Sequence, residues 1–212
     1  MTVSITSMIA LSGGEEIRVC FETVSDGGEN CVRERFVISS KQYLEMGLSK
    51  GECSTDVYDL VAYASEVWSA VKRGMSILSC CACSEKALRM KLMSKGFSKE
   101  SAAQAVGNLV ASGALRAEDD AILIAQKMVD KLWGKKRIIA GLYEKGYSQK
   151  AIGAALAALE DNRVNYVENC RALIEKRYSE LPKNASETQK MISSLGRYGY
   201  TLSEIKAAIE LL

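Results

Sequence analysis

One seven-residue phrase occurs three times in this chain and narrows its possible folds more than any other feature. The copies are Leu92-Met93-Ser94-Lys95-Gly96-Phe97-Ser98, Leu142-Tyr143-Glu144-Lys145-Gly146-Tyr147-Ser148 and Leu195-Gly196-Arg197-Tyr198-Gly199-Tyr200-Thr201, with glycines 50 and 53 residues apart. Each reads as the end of one helix and the start of the next. Glycine takes the left-handed conformation at the C′ position without a Cβ clash, and in a Schellman ending the residue after it folds back onto the helix position four before it. The expected contacts are Phe97 on Leu92, Tyr147 on Leu142 and Tyr200 on Leu195. Ser98, Ser148 and Thr201 then stand where an N-cap hydroxyl accepts from the next helix, and Thr201 with Glu204 spells a capping box. A joint used three times at a period near 50 marks a repeat protein.

The rest of the composition agrees with helices. Pro182 is the single proline of 212 residues, 48% of the chain is hydrophobic, and Ala, Leu, Lys and Glu are abundant. Residues 1–55 carry 5 basic and 8 acidic side chains; residues 56–212 carry 23 and 18, a mild asymmetry that does not by itself demand a polyanion. Seven cysteines, an odd number, read as reduced thiols in a cytosolic protein. Met1 to Leu11 lacks the basic start of a secretion signal and no apolar run reaches the ~18 residues of a membrane span. The expectation is a soluble, cytoplasmic chain.

Residues 3–10, 16–24 and 31–38 read as short strands: Ile17, Val19, Phe21 and Thr23 alternate with Arg18, Cys20 and Glu22, and turns fall at Ser12-Gly13-Gly14 and Asp26-Gly27-Gly28. A helical turn over Ser40 to Met46 ends at Gly47, and Lys50 to Ser54 reads as a linker. Thr55 is the expected N-cap of a long helix to about Ala82, with a possible break at Gly74; Ser84 caps a second helix ending at Gly96, and a third runs from Ser98 to Ser112. The plan repeats over Glu118–Leu132, Lys135–Lys145 and Ser148–Leu159, then over Arg163–Tyr178, across Leu181-Pro182-Lys183, Ser186–Tyr198 and Thr201–Leu212. Each helix carries one apolar stripe at helical spacing. The expected fold is mainly α: three tandem three-helix modules in a curved array (56–117, 118–162 and 163–212) behind a short strand-rich amino-terminal extension, 1–55.

Catalysis finds little footing. The chain contains no histidine, and no phosphate loop, dinucleotide fingerprint or nucleophile elbow is present. Asp119 and Asp120 read as a pair that caps and charge-complements a helix start. Cys80-Cys81-Ala82-Cys83 contains a Cys-x-x-Cys, but the remaining cysteines stand singly, so these read as thiols buried at a helix end rather than as a zinc or redox centre. No catalytic, cofactor-binding or metal-ligating residue is expected. The basic residues near the joints carry more information. Arg89, Lys91 and Lys95 surround the first joint, and Lys127, Lys131, Lys135, Lys136, Arg137, Lys145 and Lys150 the second; they read either as a positive rim that tracks phosphates or an acidic protein, or as a solvated helix face. Phe97, Tyr147 and Tyr200 are packing residues.

The segment Trp133-Gly134-Lys135-Lys136-Arg137-Ile138, followed by Leu142-Tyr143-Glu144-Lys145-Gly146-Tyr147, resembles the centre of the RecX family of bacterial recombination regulators. Ser84, Leu88, Leu92, Lys95-Gly96-Phe97, the acidic pair before Ala125 and the ending Tyr198-Gly199-Tyr200 extend the resemblance over roughly Val67 to Leu212. The cysteine-rich entry at Cys80 to Cys83 and Arg197-Tyr198 before the last glycine depart from the family's pattern. The resemblance implies a non-enzymatic modulator of DNA repair, recombination and the SOS response. Such a protein binds the RecA recombinase filament along its groove and inhibits its extension, ATP hydrolysis and strand exchange, with weak single- or double-stranded DNA binding. The expected chain is a monomer, with the ten basic residues above as its partner contacts. The alternative is a helix-turn-helix DNA-binding protein acting without the recombinase, for which Ser148 to Leu159 offers few base-reading side chains.

Overall fold

In the amino-terminal part, period-two alternation produces the expected strands. The computed structural model describes residues 2–25, 31–178, 180–182 and 184–212. β1 (Thr2–Leu11), β2 (Glu16–Val24) and β3 (Cys31–Ser39) form an antiparallel meander, with a register shift between Ile5 and Ser7. A 3-10 turn over Ser12–Gly14 links the first two, with Gly13 and Gly14 at positive φ; the turn expected at Asp26-Gly27-Gly28 lies outside the described residues. Val3, Ile5, Val19, Phe21 and Ile38 are buried on one face. That face meets α2 (Thr55–Leu78), whose Val61 and Ala64 join the same cluster. Phe21, Phe36 and Tyr58 pack edge-on, with centroids 5.2–5.7 Å apart. The short helix α1 (Ser40–Met46) is closed by a Ser39–Gln42 capping box and ends at left-handed Gly47.

Two local expectations are corrected here. The stretch read as a linker contains β4 (Gly51–Cys53), which pairs with β1 and completes a sheet of order β3-β2-β1-β4. Three polar or small residues have no strand pattern of their own, and the free edge of β1 supplies the partner. The cap of α2 is Ser54, whose hydroxyl accepts from the Val57 N–H, rather than Thr55. The helix then passes Gly74 unbroken and stops at Leu78 instead of Ala82. Leu109 packs close against it: a Cβ at Gly74 would lie 2.5 Å from Leu109 Cδ1 and make that side chain shift.

The remaining helices follow in order. α3 (Glu85–Met93) and α4 (Lys99–Ala111) follow α2; then come α5 (Ala117–Val129), α6 (Lys135–Glu144) and α7 (Gln149–Asp161); then α8 (Tyr166–Arg177), α9 (Ala185–Arg197) and α10 (Leu202–Glu210). Clustering divides the chain into two units, Met1–Cys81 with Leu88–Leu115, and Ala82–Ala87 with Arg116–Leu212. In the first, Ala102, Ala105, Val106 and Leu109 of α4 are buried with Val67, Ala70 and Val71 of α2. Glu66 accepts from the Ser98 N–H at 2.8 Å and the Ser98 hydroxyl at 3.2 Å, tying the start of α4 to α2. In the second unit α5, α6 and α7 enclose Ala125, Met128, Ile138, Leu142 and Leu159, while α8, α9 and α10 enclose Cys170, Ile174, Leu195 and Ile205.

α8 starts at Tyr166 rather than at the expected Arg163. Arg163 adopts φ +54° and closes α7, with the Val164 N–H reaching the Leu159 carbonyl at 3.1 Å; Asn165 then caps α8. The expected crossing at Leu181-Pro182-Lys183 falls partly outside the described residues, since Lys183 is not among them.

Candidate partner-binding surface

The three joints are Schellman endings. The N–H of Phe97, Tyr147 and Tyr200 reaches the carbonyl of Leu92, Leu142 and Leu195 at 3.4, 3.1 and 3.3 Å, and Gly96, Gly146 and Gly199 have φ of +94°, +79° and +94°. Ser98, Ser148 and Thr201 cap the following helices, and Thr201 completes its box with Glu204. Leu142 with Tyr147, and Leu195 with Tyr200, share buried clusters as their spacing requires.

Two of these joints also serve as seats for an earlier helix start. Ser84 Oγ, at the cap of α3, donates to the Lys145 carbonyl at 2.7 Å while accepting from the Ala87 N–H. One repeat later, Gly134 N–H at the cap of α6 donates to the Tyr198 carbonyl at 2.8 Å, and Lys136 N–H donates to the Gly199 carbonyl at 3.2 Å. Lys145 and Tyr198 are the C-caps of α6 and α9, so in each case the negative end of one helix meets the positive end of another. At the second seat the Tyr200 hydroxyl donates to the Leu132 carbonyl at 2.8 Å.

That geometry explains an unusual helix start. The first turn of α6 holds Lys135, Lys136 and Arg137, no acidic residue and no capping side chain, although cations are disfavoured at a helix N-terminus. Backbone carbonyls of the joint satisfy the amides that a side chain would otherwise cap. Arg137 is held over two rings, its guanidinium carbon 4.2 Å from the centroid of Trp133 and 4.7 Å from that of Tyr198. Arg177, in the last turn of α8, lies 4.6 Å from the same Tyr198 ring and donates to Ser194 Oγ at 3.4 Å.

The other expected contact residues divide into engaged and open side chains. Lys135 pairs with Glu160 at 2.9 Å and Lys150 with Glu118 at 2.5 Å. Lys91 Nζ donates to Cys81 Sγ at 3.3 Å. Lys127, Lys131, Lys136 and Lys145 are exposed in the second unit; Arg89 and Lys95 are exposed in the first. Sequence reasoning placed Arg137 here but missed Tyr198 and Arg177, which no periodicity connects with it. The acidic pair complements the first turn of α5, with Glu118, as expected, but caps nothing: Asp120 instead accepts from the Cys83 N–H at 3.4 Å. Cys80 and Cys81 are exposed and only Cys83 is buried, which corrects the expected burial of the whole group, because α2 ends before it. Among the described residues no cluster of three His, Cys, Asp or Glu side chains is arranged to hold a metal, and no helix is long and apolar enough to cross a membrane.

No family model matches the chain. The chain is 31% identical over 139 residues to the regulatory protein RecX of Xanthomonas axonopodis pv. citri (strain 306), covering 65% of this chain and 84% of that protein. The chain belongs to the RecX family. It is also 25% identical over 178 residues to the regulatory protein RecX of Caldanaerobacter subterraneus subsp. tengcongensis, covering 83% and 87% of the two chains. A crystal structure of a regulatory protein RecX superposes with a TM-score of 0.74 at 20% identity, over 98% of this chain and 99% of that one. RecX from Lactobacillus salivarius superposes with a TM-score of 0.60 at 22% identity, over 70% and 97%. These two establish a shared fold, including the strand-rich beginning in the first case.

Proposed function

We propose that this protein is a non-enzymatic regulator that binds the RecA recombinase filament and inhibits its extension, ATP hydrolysis and strand exchange during recombination and repair in the cytoplasm. Membership of the RecX family carries the reading, and the repeated joints support it. In this reading the three helix triples are modules at about 56–117, 118–162 and 163–212, and successive modules engage successive subunits of a helical polymer. Weak contacts held on one chain then reinforce one another through effective concentration. The exposed cations Lys127, Lys131, Lys136 and Lys145, with Arg89 and Lys95, form the contact set, while Lys135 and Lys150 exchange their intramolecular carboxylates for those of the partner. DNA contact is weak and salt-sensitive, as expected when it is confined to the phosphate backbone.

The test is ATP hydrolysis by preformed recombinase filaments on single-stranded DNA, titrated with this protein. Inhibition well below one protein per recombinase is the expected result. Unchanged hydrolysis at saturating protein would remove this function and leave the fold assignment standing.

A further inference from the structure

Among the described residues several cations are held by carboxylates: Arg33 pairs with Glu22, Lys72 with Glu16, Lys135 with Glu160, Lys150 with Glu118, and Arg171 with Glu168 and Glu175. Arg137 and Arg177 differ. Each is held by ring stacking, both on Tyr198, and neither has a carboxylate within ion-pair distance among the described residues. Stacking occupies the flat face of a guanidinium and leaves its N–H edge for a ligand, of which Arg177 spends only Nη1, on Ser194 Oγ at 3.4 Å; it also settles in advance the rotamers that binding would otherwise have to order. Arg137 is half-buried and Arg177 exposed.

We propose that Arg137 and Arg177, arranged on the ring of Tyr198, form a preorganised clamp for carboxylates on an acidic protein partner. The planar fork of each guanidinium matches a carboxylate bidentately. A nucleic-acid backbone is the less suitable ligand, because it rewards a continuous line of open cations, whereas here Lys135 of the same helix turn is paired with Glu160 and the whole chain carries a net charge of only +2. The clamp deepens the reading of a protein-binding regulator and rests on it for its biological partner, but its chemistry can be tested without that partner.

The full-length 15N-labelled chain is titrated with a hexaglutamate peptide and, separately, with a single-stranded oligothymidylate of equal charge. The Nε–Hε resonances of Arg137 and Arg177 are followed, assigned from R137K and R177K. Both resonances are expected to move further with the peptide than with the oligonucleotide. R177K, which keeps the charge but loses the fork at the exposed end of the stack, is expected to bind the peptide about tenfold more weakly with a melting temperature lowered by no more than about 2–4 °C. Larger shifts with the oligonucleotide, no shift with the peptide, or undiminished peptide affinity in R177K would each overturn the clamp. Loss of recombinase binding by the wild-type chain alongside intact peptide shifts would instead count against the recombinase as partner while supporting the clamp.

Discussion

Gly96 and Gly199 share the same φ of +94°, yet their surroundings differ completely. A Cβ at Gly96 would meet nothing within 4 Å, whereas at Gly199 it would fall 2.4 Å from the Arg137 backbone nitrogen and 2.8 Å from the Gly134 carbonyl oxygen. G96A should therefore cost only the left-handed strain, about 1–2 kcal/mol. G199A should add about 1–3 kcal/mol of overpacking against backbone that has no room to move, read as a lower urea midpoint. Cys170 offers a second residue-scale test. Burial is the main cause, and nearby Glu204 a smaller one, that pushes its thiol from 9.0 up to about 11. The folded chain holds this proton more tightly than the unfolded chain, so the stability is fully present below about pH 9 and is lost as pH rises through 11. C170A should flatten the fall in stability between pH 9 and 11 once both proteins are normalised at neutral pH. Burial raises the Tyr200 phenol in the same direction, so some alkaline loss should persist.

Between elements, the recurring event is a helix end placed against a helix start. At the joint of α9 and α10 the seat is made of the Gly134, Lys136 and Tyr200 hydrogen bonds. Y200F removes one donor to the Leu132 carbonyl without altering the ring, and should cost about 1 kcal/mol. Hydrogen exchange should speed up at the Gly134 and Lys136 amides, while the core amides of α5 keep their protection. The cation–ring contacts over Trp133 and Tyr198 add about 0.5–2 kcal/mol each according to their exposure. They hold the third of the three successive cations at the start of α6.

At the scale of the whole molecule, the charge pattern separates open cations from packed ones. Lys136 is exposed and outside every ion pair among the described residues, whereas Arg137 is part of the packing. Under the proposed function, K136E should weaken filament binding about tenfold or more through like-charge repulsion. Its melting temperature should stay within a degree or two of wild type, because exposed charges contribute little to stability. The same K136E protein should inhibit filament ATP hydrolysis only at correspondingly higher concentration; equal potency would place the contact surface elsewhere.

The three joints, the caps at Ser98, Ser148 and Thr201, the helices and the strand meander were all legible in the amino-acid order, because each depends on residues within about five positions of one another: a glycine that tolerates positive φ, a hydroxyl that reaches its own helix, an apolar stripe. Family membership was legible for the same reason, since motif order survives in the chain. What the tertiary structure alone decided involves residues far apart in sequence. β4 exists because β1 offers it an edge 50 positions away; Gly74 lies against Leu109 of another helix; Arg137 is stacked on Tyr198 because that ring is brought to it. Hydrogen-bond partners, close approaches and ring contacts of this kind depend on where distant backbone comes to lie, and local propensity carries no record of that.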